Sequence, residues 1–240
     1  GHYLADSLRG GRFADLSARV GSGLSFPKAP MVADISGDGR PDIVGAGQWF
    51  KQQKDHTFGP STKVAGVELG ALWADLDQDG TLDVLVKNGD KASVLLAVGT
   101  QMQVQGELHC SPPGPGPVCA LDGNVDGLID LCQITEKGVE LLQANGKRGG
   151  TMRVIVRGNK SNKRGVGSVV EVRVGTLYRR IYYRGETLLV GVGEAQEVQV
   201  VRITYPNGAV LTRVDVALDS GELIDDPSAA MGEFEEPASL

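Results

Sequence analysis

Residues 74–86 read ADLDQDGTLDVLV and place Asp75, Asp77, Asp79 and Asp83 within nine positions before an apolar run. Carboxylates so close repel one another, so something of opposite charge must gather them. Two more stretches repeat the pattern: ADISGDGRPDIV at 33–44 and ALDGNVDGLIDL at 120–131. Aligned, all three read D-x-[DNS]-x-D-G-x-x-D, beginning at Asp34, Asp75 and Asp122, which are 41 and 47 residues apart. That spacing belongs to a repeat array. A single copy would pass for an exposed turn, since Asp, Asn and Gly fill turns; three in register do not.

A hard cation such as Ca²⁺ takes six to eight oxygen ligands, and calcium loops supply them from alternate positions. The side-chain donors expected are Asp34, Ser36, Asp38 and Asp42; Asp75, Asp77, Asp79 and Asp83; and Asp122, Asn124, Asp126 and Asp130. The seventh position, Arg40, Thr81 or Leu128, would turn its carbonyl to the ion, and the glycine before it lets the chain take a positive φ. Three Ca²⁺ sites are expected, the second strongest because it has four carboxylates, and the first weakened by Ser36. An EF-hand is excluded, because position 12 is Gly45, Val86 or Gln133 rather than Glu and the flanks are short, apolar and partly β-branched.

Those flanks read as strands. The chain has 34 glycines, 5% aromatics and no long helical period, which points to an all-β protein. GRFADLSARVG at 11–21 reads as one strand leading to a turn, and three units follow, each with about four short strands per 40–50 residues. From about residue 150 the segments TMRVIVRG, SVVEVRVG, EVQVVRITYP and AVLTRVDV alternate apolar with polar or basic residues, the mark of half-buried strands, and Asn207-Gly208 is a hairpin signal. This predicts a compact antiparallel sandwich or barrel.

The triple loop, over about residues 11–147, resembles the FG-GAP/VCBS blade of calcium-binding β-propellers. The order of NKRGVGSVVEV (162–172), GVG (191–193) and VVRITYPNG (200–208) is similar to the ASPIC/UnbV domain that follows such repeats in the cartilage acidic protein family, with Tyr205 where that family has Trp. The resemblance implies a partial propeller at 1–147, an ASPIC/UnbV-like β-domain at 148–218 and an acidic tail at 219–240. Propellers of this family have about seven blades, and three cannot close a ring. The third unit looks short of a fourth strand, so the N-terminal strand, a second copy or another chain is expected to complete the array.

Charge follows the same divisions. Residues 1–146 balance to −7, residues 147–213 to +9 and residues 214–240 to −8, within a net −6. The basic group Lys147, Arg148, Arg153, Arg157, Lys160, Lys163, Arg164, Arg179, Arg180 and Arg184 is either a solvated face or a site for an anionic glycan or acidic protein. Nucleic acid is not expected of a chain with net negative charge and no recognised binding module. No stretch is long and apolar enough to span a membrane. Calcium loops point to a secreted, extracellular or periplasmic location, with any signal peptide outside this sequence.

Cys110 and Cys119 bracket a proline-rich loop, whereas Cys119 and Cys132 flank the third aspartate loop. Either pair, or none, fits this spacing; an extracellular location favours one disulfide and one free thiol, with Cys110–Cys119 the preferred pair. No nucleophile, P-loop or zinc-protease motif occurs, and His2, His56 and His109 lie far apart. Trp49 and Trp73 sit in or beside apolar runs and read as core. The function expected is a calcium-stabilised, non-enzymatic binding or adhesion protein that recognises a protein or an anionic glycan. The alternative is an enzyme or accessory factor of bacterial secondary metabolism.

Overall fold

The structure, a computed structural model, describes residues 5–8, 12–15, 30–45, 47–64, 71–88, 91–98, 101–109, 118–135, 137–145, 150–158 and 162–218. The described residues are all-β, without a helix, and so without a helix long and apolar enough to cross a membrane. They divide into two compact units, one within residues 1–76, 81–121 and 130–143, the other within 77–80, 122–129 and 144–240.

In the first unit, β1 (Ala5–Leu8) and β2 (Arg12–Asp15) form a two-stranded antiparallel ladder. The strand expected within GRFADLSARVG therefore partners β1, and its described pairings do not extend to the third unit. Next comes a four-stranded antiparallel meander of β3 (Met31–Ala33), β4 (Asp42–Gly45), β5 (Gln48–Phe50) and β6 (Thr62–Lys63). A second meander follows, of β7 (Leu72–Ala74), β8 (Asp83–Asn88), β9 (Lys91–Val98) and β10 (Gln101–His109). The third has three strands, β11 (Val118–Leu121), β12 (Asp130–Thr135) and β13 (Gly138–Leu142). In each meander the first two strands are joined by one of the aspartate loops. Successive neighbours pair because short connections between antiparallel strands favour adjacent ladders.

Alternation decides what each sheet buries. Ile43 and Phe50 form one small core with Phe58 packed on it. Val84 and Leu95 form another, covered by Val64, Ala71, Trp73, Val86 and Met102, so Trp73 packs in a core as its sequence context implies.

In the second unit, β14 (Gly150–Val154) pairs with β17 (Leu188–Gly193). A four-stranded antiparallel sheet runs β16 (Leu177–Tyr182), β15 (Val169–Val174), β18 (Glu197–Thr204), β19 (Val210–Ala217). Both sheets feed one core of Met152, Val154, Val156, Val170, Val172, Tyr183, Val190, Val192, Val198, Val201 and Ile203, with Tyr205 against its edge. The β18–β19 turn closes at Asn207-Gly208, where the Gly208 amide donates to the Tyr205 carbonyl at 2.8 Å.

Candidate metal centre

The three loops share one backbone. Position six is left-handed in every copy: Gly39 at φ 82°, Gly80 at 89° and Gly127 at 86°. Position four is left-handed as well, at Gly37 (68°), Gln78 (62°) and Val125 (63°). Only glycine and, less readily, Asn or Asp reach this region without strain. Gln78 and Val125 are therefore held there by the loop as a whole. Sequence reasoning anticipated position six and missed position four, because only one of its three residues is glycine.

The aspartate at position one folds the loop over itself. Asp34 accepts hydrogen bonds from the amides of Asp38 (3.0 Å) and Gly39 (2.8 Å), and Asp122 accepts them from Asp126 and Gly127, both at 3.0 Å. The aspartate at position nine anchors the stem. Asp42, Asp83 and Asp130 are fully buried. Asp42 accepts from the amides of Ser36 (3.0 Å) and Gln52 (2.9 Å), and Asp83 from those of Leu76 (2.7 Å) and Ala97 (2.9 Å). One carboxylate thus ties the loop to its own meander's third strand, at Ala97 within β9, or to the residues just after it, at Gln52 beyond β5. A buried charge is tolerated only with such donors around it.

The loops differ in what faces their acids. In the second, Asp75, Asp77 and Asp83 each bring a carboxylate oxygen within 4.8 Å of the others, a group that could hold a metal ion, and among the described residues it is the one such group of three or more acids, His or Cys. Asp79 lies outside this group and is exposed, its amide donating to Asp77 at 3.2 Å. Thr81 is half-buried beside it.

In the first loop, Asp38 is paired with Arg40 and with Lys51. Burial works to raise its pKa, but the Lys51 hydrogen bond, the Arg40 amide and the two cations outweigh it and hold the carboxyl below the usual carboxylate range. Ser36 Oγ is buried with no hydrogen-bond partner in the protein. In the third loop, Arg153 of β14 forms an ion pair with Asp122, whose side chain is 7% exposed. Asn124 and Asp126 are exposed and bonded to each other at 2.7 Å, Leu128 is half-buried, and its amide donates to Asp126 at 2.8 Å.

The tip of the second loop is tightly held. Gln78 is 1% exposed, donates its side-chain amide to the Gly127 carbonyl, and accepts from the Gly193 amide at 3.0 Å through its own carbonyl. A Cβ on Gly80 would lie 2.4 Å from Leu177 and 2.9 Å from the Gly191 carbonyl.

The described basic residues are engaged in different ways. Arg153 is engaged at Asp122, Arg179 is 7% exposed on the inner side of β16, and Arg164 donates to the Gly185 carbonyl at 2.7 Å. Lys147, Arg148, Lys160, His2, Cys110 and the acidic segment 219–240 lie outside the described residues.

No known family profile matches the chain. No curated protein matches it either. Among solved structures, it is similar to the Photorhabdus luminescens Tc holotoxin pore at 15% identity and TM-score 0.45, over 84% of this chain and 11% of that one. It is also similar to the V. cholerae biofilm matrix protein Bap1 at 12% identity and TM-score 0.28, over 78% of this chain and 48% of that one. The chain thus spans about a tenth and about half of the length of these two proteins.

Proposed function

We propose that this is a calcium-stabilised extracellular binding protein without catalytic activity. In this reading the meanders are blades of a partial FG-GAP/VCBS-type propeller, and the C-terminal sheets form an ASPIC/UnbV-like sandwich. The observation that carries it is the convergence of Asp75, Asp77 and Asp83 in a loop whose fold recurs at Asp34 and Asp122. Three carboxylates at that range favour a hard divalent cation, which would cancel their repulsion. The second loop is then the principal site. Ser36, with its buried oxygen, supports a weaker first site. The third is weakest, because Arg153 already supplies a positive charge to Asp122.

The ligand face assigned here is the outer side of the β16-β15-β18-β19 sheet. Register places Arg180, Glu171 and Arg202 in one row, with Tyr178 and Arg173 in the next. Arg180 stacks over Tyr182 at 5.8 Å, and Tyr182 is 50% exposed. Three guanidinia against one carboxylate, beside the exposed ring of Tyr182, suit a sulfated or uronic polysaccharide.

Calorimetric titration of the chelator-treated protein with Ca²⁺ tests the metal. A saturable site lost in Asp77→Asn is expected, and no binding up to several millimolar would overturn it. Heparin and alginate, with dextran as the neutral control, test the ligand. Arg173→Gln/Arg202→Gln should weaken binding by about five-fold or more and flatten its salt dependence. Absence of polyanion binding with calcium binding intact would leave a protein ligand.

A further inference from the structure

The third meander sets two thiols face to face. Cys119 in β11 and Cys132 in β12 are directly opposed in the antiparallel register, so their side chains emerge on the same side of the sheet. Opposed residues of such a ladder have Cα atoms about 4.5–5.5 Å apart. Disulfides bridge Cα atoms about 4.4–6.8 Å apart. The pairing therefore needs no backbone rearrangement, only rotation of the two side chains toward each other. The thiols already interact: burial first, then the neighbouring Cys132 and a hydrogen bond with it, push the Cys119 pKa up. Cys119 is nevertheless exposed and Cys132 only half-buried, so an oxidant in solution reaches the pair. Their side of the sheet also carries exposed Leu121 and Leu141, so among the described residues the two thiols do not sit in a packed core.

We infer that Cys119 and Cys132 form a reversible cross-strand disulfide that clasps the stem of the third aspartate loop. Residues 120–131 lie between them and include all nine positions from Asp122 to Asp130. The bond would pin the β11–β12 register, which a one-residue slip would otherwise invert, and would restrict the unfolded loop. The oxidant is a disulfide of the glutathione class. One cysteine thiolate attacks a sulfur of that disulfide and expels one thiolate, leaving a mixed disulfide. The second cysteine, deprotonated, then attacks the protein-side sulfur and expels the other thiolate. Two protein thiols are oxidised, one external disulfide is reduced to two thiols, and the two protons from the cysteines pass to the departing thiolates.

The test uses the full chain, purified reduced, incubated with oxidised glutathione, then denatured and alkylated. The free thiol count should fall from three to one. Cleavage before aspartate cuts the chain at Asp122, Asp126 and Asp130, between the two cysteines. The peptides holding Cys119 and Cys132 should remain joined until reductant is added. Cys110→Ser should keep that link and reach zero thiols, whereas Cys132→Ser should lose it. A Cys110–Cys119 bond would leave the two peptides separate. That result, or persistence of both thiols in Cys110→Ser, overturns the inference.

Discussion

Val125 is 67% exposed and sits at φ 63°, a conformation that β-branched residues avoid. Its side chain holds nothing in place, so the strain has no local return. Val125→Asn should raise stability by about 1 kcal/mol, read as a higher urea midpoint at unchanged m-value. The position-six glycines separate two further effects. Gly127 has open space where a Cβ would project, so Gly127→Ala should cost only the backbone strain, about 1–2 kcal/mol. Gly80→Ala would also drive a methyl into Leu177 and the Gly191 carbonyl, and should cost about 3 kcal/mol or more. Equal losses in the two variants would refute this reading of the loop tip. Asp38 makes a pH prediction. Its pKa is depressed in the folded state, so its contribution is present above the unfolded carboxylate pKa and is lost as pH falls through the folded value. Lys51 is 44% exposed and water screens the pair, so Asp38→Asn should destabilise by about 0.5 kcal/mol near neutral pH. The difference from the parent should vanish in strong acid and shrink in high salt.

At the scale of elements, the third meander stands apart. Its inner side buries Leu131 and Gln133, but its outer side presents Leu121, Ile134, Val139 and Leu141, which are 38%, 54%, 73% and 42% exposed. Contiguous apolar residues of this kind mark contact surfaces. Among the described residues the sheet has three strands where the two meanders before it have four. Both features lead to a prediction of self-association through this face. Val139→Lys with Ile134→Lys should lower the mass seen in light scattering at tens of micromolar while leaving the β-sheet circular dichroism unchanged. A parent protein already monomeric at that concentration would count against self-association through this face.

For the whole molecule, the formal charge of −6 sets a ledger that calcium changes by two charges per ion. Native mass spectrometry should find one ion at low calcium and up to three near millimolar calcium, the range about 10⁻⁴–10⁻³ M in which extracellular modules bind. With free ion at ten times the dissociation constant, each site should add about 1.4 kcal/mol to the stability of the segment that holds it. Chelator should accordingly lower the melting temperature, and Asp75→Asn should remove most of that response. A melt unmoved by chelator would mean the loops stand without metal. Arg153→Gln should strengthen the third site, since the guanidinium would no longer compete for Asp122; an unchanged ion count would show that Arg153 does not control that loop.

What the sequence determined by itself was local and periodic. The strands followed from alternation, the turn at Asn207-Gly208 from its dipeptide, and the positive φ of Gly39, Gly80 and Gly127 from their fixed place in a nonamer, because each depends on neighbours a few residues away. Residues distant in the chain decided the rest. Asp122 meets Arg153 across 31 positions, and Gln78 meets Gly127 across 49. Three nonamers nearly alike in sequence therefore present different fields to a cation: one offers converging carboxylates, and two are partly neutralised by arginine or lysine. The same holds for the cysteines. Spacing left two pairings open, and only the β11–β12 register put Cys119 opposite Cys132. Coulomb energy and sulfur chemistry act over a few ångströms of space, and only tertiary packing sets which distant residues come within that reach.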